Sequence, residues 1–186
     1  MHDRAAPPVS DLVARARRGD ARAFEALVAG HERLALGVAY AALQDAPQAA
    51  DVVQESFVKA WRSLGDLADP AAFAPWLCHI VRNGAADVRR RKRLATCDLG
   101  HASGRPDPRA AAPGDSLDRR ERSDRVAAAL ATLDELTRSA MVLRYYENRT
   151  SREIAELLGT TAPAIDMRLM RGRALLKERL AMEATR

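Results

Sequence analysis

The chain has 186 residues, few aromatics and a formal net charge of +5. That length allows one or two small domains. No apolar run approaches the ~20 residues of a membrane span. The N-terminal stretch MHDRAAPPVSDLV has no apolar signal-peptide core, so a cytoplasmic protein is expected. Residues 1–94 carry 14 Lys/Arg against 11 Asp/Glu, residues 95–124 carry 5 against 6, and residues 125–186 carry 11 against 8. Two mildly basic blocks therefore flank a slightly acidic middle, a distribution that suits a polyanionic partner. Cys78 and Cys97 are the only cysteines, and their placement beside His79 and His101 matches no zinc spacing; two free thiols are expected. The four histidines are scattered, and no phosphate loop or nucleophile–base pairing stands out. No catalytic residue, metal, cofactor or small-molecule substrate is therefore expected.

In chain order, residues 10–43 read as two or three helices. Ser10 or Asp11 is positioned to cap the first, and Asp20, after the Gly19 break, to cap the second. In 47-PQAADVVQESFVKAWRSL-64, Val53, Phe57, Ala60, Trp61 and Leu64 form one helical stripe, with Asp51, Gln54, Glu55 and Arg62 off it. Residues 65–73 read as a loop. A helix follows over 74–93, with Leu77, Ile80, Val81, Gly84, Ala85 and Val88 on one side. Arg82, Asn83, Ala86, Arg89 and Arg90 lie on the other, and the helix closes on 89-RRRKR-93. Such a face suits phosphate and base edges, or simply solvent at a helix C-terminus.

The stretch 95–116, with three prolines, three glycines and no apolar periodicity, reads as a flexible linker. Beyond it, 116–136 and 137–148 read as helices, and 150–180 as a helix-turn-helix. Thr150 or Ser151 opens its first helix, Ile154, Ala155, Leu157 and Leu158 face the core, and Gly159 stops it. In the second helix, Ile165, Leu169, Gly172 and Leu176 form the seam. Met167 and Met170 point away from it, with Asp166 and Arg173 on one flank and Arg168 on the other. A helix-turn-helix alone is only moderately specific for DNA. The expected fold is all-α: two small helical domains, a helical bundle and a helix-turn-helix, joined by the linker.

Three blocks in fixed order carry a family resemblance: 51-DVVQESFVKAW-61, 76-WLCHIVRNGAADVRRRKR-93 and 133-LDELTRSAMVLRYYENRTSREIAELLGTTAPAIDMRLMRGRALLKERL-180. Together they resemble bacterial sigma factors of the extracytoplasmic-function (ECF) type, in the sigma-70 family. The resemblance spans nearly all of the chain outside its first residues and the linker, and suits the minimal two-domain form. It implies a region 2 domain at 1–94, the linker at 95–116, and a region 4 domain at 117–186. It implies core RNA polymerase (β′ clamp and β flap), promoter DNA and an anti-sigma factor as partners.

By the same resemblance, Asp51, Gln54 and Glu55 would dock on the β′ clamp. The loop from Gly65 to Ala72 would capture a flipped minus-ten base. Arg82, Asn83, Arg89, Arg90, Arg91 and Lys92 would contact minus-ten DNA. Arg149, Thr150, Ser151, Thr161, Arg168 and Arg171 would contact the minus-thirty-five duplex, with a salt bridge to the domain's own acids as the rival role for Arg168. The stripe residues Phe57 and Trp61 read as core rather than anchor, and Trp76 as core or as a base-stacking ring. The chain departs from the family at Asp166, where lysine or another polar residue is usual. It departs again at Met167, where a small polar residue is usual, and at Met170, where histidine or another polar residue is usual. Two rivals stand beside the sigma factor: a sigma mimic that titrates an anti-sigma factor, and a stand-alone helix-turn-helix regulator.

Overall fold

The computed structural model describes residues 7–98 and 125–184, and all regular structure within them is helical. Helix α1 is Val9–Arg17, α2 Ala21–Leu43, α3 Ala46–Arg62 and α4 Phe73–Asp98. Residues 125–131 form the described part of α5. Helix α6 is Glu135–Tyr145, α7 Ser151–Leu158 and α8 Ala162–Ala184.

Local chemistry sets most boundaries. Pro8, not Ser10 or Asp11, is the N-cap of α1, and it offers no capping side chain. Ser10 and Asp11 are inside the helix, where Asp11 lies 3.9 Å from Arg15. Asp20 caps α2, accepting from the Ala23 amide at 3.2 Å, and Arg15 donates to the same carboxylate. Those bonds hold Asp20 below the ordinary carboxylate range, the Arg15 hydrogen bond first among them. Asp45 caps α3 and Asp134 caps α6. Thr150 and Glu153 form a reciprocal capping box on α7, and Gly159 ends that helix at φ +67°, a conformation glycine adopts without a Cβ clash.

Two boundaries differ from the sequence reading. Helix α4 runs on to Asp98, so residues 95–98 are helix rather than linker; the rest of the linker, 99–116, lies outside the described residues. The helix expected over 116–136 stops at residue 131, because Asp134 is already the cap of the next one.

Helix α2 is the centre of the molecule. Its buried residues include Leu27, Leu34, Ala35, Val38, Ala41 and Ala42, which form one broad face, and no residue from Leu34 to Leu43 is exposed. A helix segment covered all round is surrounded by neighbours, and α2 packs against α1, α3, α4 and α6. Small residues permit the close approaches. A Cβ on Gly84 of α4 would lie 3.2 Å from Val52 of α3, and one on Gly172 of α8 would lie 3.1 Å from Thr137 of α6.

The helices after residue 124 do not stand apart from those before 98. Helix α6 lies on α2, and α7 lies on α4. Leu143, Ile154 and Leu158 join the same buried cluster as Leu27, Val38 and Leu77. Polar bonds seal the contact. Arg138 donates to the carbonyls of Leu130, Leu133 and, across the boundary, Ala41. Arg33 of α2 pairs with Glu147 at 2.7 Å and its guanidinium lies over the Tyr146 ring. Arg82 of α4 donates to the Leu158 carbonyl at 3.0 Å, and Arg89 pairs with Glu135. The result is a closed form of the chain. Local periodicity carries no information about this long-range packing.

Candidate nucleic-acid and polymerase interface

Asp51, Gln54 and Glu55 are exposed on α3, at i, i+3 and i+4, so they share one face. The opposite side buries Val52, Val53, Ser56, Phe57 and Ala60. An open groove of about 620 Å³ runs beside this face, lined by Gln54, Glu55, Val58, Lys59, Arg62 and Ser63. Phe57 is core. Trp61 packs on Phe24 with ring centroids 4.8 Å apart, yet remains 38% exposed, so it closes the core at its edge.

The segment after α3 is more ordered than a plain loop. It holds two short 3₁₀ turns, Leu64–Asp66 and Pro70–Ala72, with Leu67 buried between them. Arg17 of α1 clamps it, donating to the carbonyls of Leu64 and Leu67. The Asp69 side chain caps the second turn through the Ala71 amide at 2.9 Å. The Arg17 clamp was absent from the sequence reading; a lone arginine 47 residues from its acceptor has no local signature. Trp76 lies half-buried against Phe73, as core.

Helix α4 buries Leu77, Ile80, Val81 and Ala85; its other side carries Arg82, Asn83, Arg89 and Arg90, while Arg91 and Lys92 lie off that face toward its C-terminal end. Their partners differ. Arg82 and Arg89 are engaged by the second half of the chain. The Asn83 amide is 3.0 Å from the His79 ring, Arg90 pairs with Asp87 at 3.0 Å, and Lys92 is 3.8 Å from Asp45. Arg91 is exposed, with no ion pair among the described residues. Cys78 is buried at the junction, and burial pushes its thiol up to about 12. A thiol so far from ionisation is not a nucleophile at neutral pH.

The minus-thirty-five candidates lie on α7, α8 and the turn before them, and most already have a partner. Arg149 faces the first half of the chain, where its charge reaches Cys78 and His31. It pairs with Glu153 at 3.1 Å, and its Nε is buried with no hydrogen-bond partner. Thr150 is spent on the capping box, which draws Glu153 down to about 2, chiefly through the Thr150 amide. The Ser151 hydroxyl donates to Asp166, which ties the start of α7 to α8. Thr161 accepts from the Ala164 amide at 3.4 Å. Arg168 donates to Asp134 at 3.0 Å and to Thr137 at 3.2 Å, so in the closed form it makes the intradomain bridge. Arg171 alone of the six is exposed with no hydrogen bond or ion pair among the described residues. Asp166 thus serves as a fastener between helices.

This arrangement matches known proteins in both halves. Residues 27–95 match the family model described as Sigma-70 region 2, and residues 123–176 match Sigma-70, region 4. The RNA polymerase sigma-H factor of Pseudomonas aeruginosa is 31% identical over 91% of this chain and 92% of its own length.

The chain belongs to the sigma-70 family.

It is a sigma factor of the ECF type, a protein that directs RNA polymerase to promoters. The Probable RNA polymerase sigma factor RfaY of Xanthomonas campestris pv. campestris is 32% identical over 89% of this chain, which spans 42% of that longer protein. The solved structure of CnrH in complex with the cytosolic domain of CnrY superposes with a TM-score of 0.67 at 32% identity, covering 94% of this chain and 97% of CnrH. No described helix is long and apolar enough to cross a membrane, and no group of His, Cys, Asp and Glu among the described residues is arranged to hold a metal.

Proposed function

We propose that residues 1–94 act as the region 2 domain and residues 117–186 as the region 4 domain of a sigma factor that works in the cytoplasm without chemistry of its own. Asp51, Gln54 and Glu55 dock on the β′ clamp of core RNA polymerase, and the second domain sits at the β flap. The α4 cations hold the displaced minus-ten strand, and the Arg17-clamped turns at 64–72 receive the extruded base. Extrusion costs a few kcal/mol, so a pre-shaped receptor lowers the barrier to melting. Helix α8 enters the major groove of the minus-thirty-five duplex, the usual placement of a second helix in this motif.

The observation that best supports this reading is one face of α4. There Arg82, Asn83, Arg89 and Arg90 line one side of a helix whose other side is buried. Phosphate contact by such a face makes binding salt-dependent. Two of those cations contact Leu158 and Glu135 in the closed form. Promoter engagement therefore requires the two halves to separate. An anti-sigma factor that favours the closed form would silence the protein, and the likeness to CnrH, solved with the cytosolic domain of CnrY, supports such a partner.

The test is charge reversal on α3: Asp51→Lys with Glu55→Lys should abolish binding to core polymerase while the fold, read by circular dichroism, is kept. Undiminished binding would remove α3 as the docking face. A protein that binds an anti-sigma factor yet never supports transcription would instead be a mimic.

A further inference from the structure

Helix α8 presents an unusual reading surface, because two polar side chains of its first half are already in use. Asp166 is held by Ser151, and Arg168 by Asp134 and Thr137. The buried seam of Ile165, Leu169 and Gly172 fixes which side faces out. Opposite that seam stand Met167, 48% exposed, and Met170, 55% exposed, with Arg171 beside them. Both methionines lie in the first half of the helix, the part that reaches base edges in this motif. Arg173 and Lys177 are exposed further along, so cations accompany the apolar pair as a phosphate-lined groove requires.

The major groove offers one apolar group, the C5-methyl of thymine. The other groups that distinguish bases there are hydrogen-bond donors and acceptors, which a thioether serves poorly. Residues three apart on a helix rise about 4.5 Å, somewhat more than one base step of 3.4 Å. Met167 and Met170 can therefore meet methyl groups on adjacent or next-adjacent base pairs. The thioether chain is flexible and polarizable, so it adapts to a methyl without a fixed geometry.

We propose that this sigma factor reads its upstream promoter element through thymine methyl groups, gripped by Met167 and Met170, with Arg171 as the polar reader beside them. The inference rests on the reading that α8 enters the minus-thirty-five major groove. It adds a chemical specificity to that reading: methyl contact in place of hydrogen-bonded base recognition at two positions.

The experiment uses the full chain reconstituted with bacterial core RNA polymerase. Holoenzyme selects from a pool of duplexes randomised upstream of a fixed minus-ten region. The enriched duplex is then remade with deoxyuridine for each upstream thymine in turn, which removes only the methyl. Two positions should each weaken binding about fourfold, the worth of burying one methyl group. At those positions 5-methylcytosine should bind better than cytosine, because its methyl lies in the same place. The variant Met167→Ala/Met170→Ala should bind thymine and uracil duplexes alike; both side chains are exposed, so the fold should survive, as a thermal melt would verify. If wild-type holoenzyme binds thymine and uracil duplexes equally while still selecting an upstream sequence, methyl reading is wrong and duplex reading stands. If it selects no upstream sequence at all, both readings are wrong.

Discussion

Gly37 lies where the two halves of the molecule pack together. It lies on α2, and a Cβ built there would sit 3.4 Å from a methyl of Val142 on α6. Alanine therefore fits at ordinary van der Waals distance. It should also stabilise α2, by up to about 1 kcal/mol, since glycine is a poor helix residue. Leucine does not fit, because its outer atoms need the space that Val142 fills. Overpacking costs typically 1–3 kcal/mol, and here the strain can be relieved by moving α6 away. That shifts the closed–open balance by roughly 5–150-fold. Small-angle scattering would read the change as a larger radius of gyration for Gly37→Leu, with Gly37→Ala unchanged from the natural protein. The opened variant should also bind a single-stranded oligonucleotide more tightly, because Arg82 and Arg89 are released from Leu158 and Glu135. If wild type, alanine and leucine forms scatter identically and bind the oligonucleotide alike, the contact does not govern access to α4.

Other consequences follow from single side chains. Glu153 has a depressed folded pKa of about 2 against an ordinary 4.5, so its contribution is present above pH 4.5 and is lost as pH falls toward 2; Glu153→Gln should flatten the pH dependence of melting temperature in that window. His31 is shifted down, first by burial, so it favours the neutral folded form; stability should fall as pH drops below about 6.5, and less so in His31→Gln, measured by urea unfolding. Ile165 is fully buried on the inner face of α8, and Ile165→Ala should cost about 2–5 kcal/mol in urea unfolding. Asp166→Lys should strengthen duplex binding and steepen its salt slope by about one unit; unchanged binding would show that this flank of α8 stays off the DNA.

Much of the fold was legible because it is written in local chemistry. Asp20, Thr150 and Gly159 mark helix ends by what their side chains, or the lack of one, can do. The seams of α3, α4 and α8 follow helical spacing, and burial falls on those seams. The start of α1 was misplaced because a proline with no capping side chain began the helix two residues before the expected polar one. The minus-ten and minus-thirty-five candidates were legible as residue types on a face, but not in their partners. Nothing in the order of residues says that Arg82 meets Leu158, or that Ser151 meets Asp166. Those bonds depend on how helices cross, which long-range packing decides. They alter the site materially, since they leave Arg171 and two methionines exposed on the outward face of the first half of α8.

The most direct measurement of the central claim is run-off transcription with core RNA polymerase on a promoter library. The full chain should yield transcripts from a defined start on a subset of templates, and that activity should disappear in Asp51→Lys/Glu55→Lys. A folded, monodisperse protein that binds core polymerase and gives no promoter-specific product on any template would contradict it.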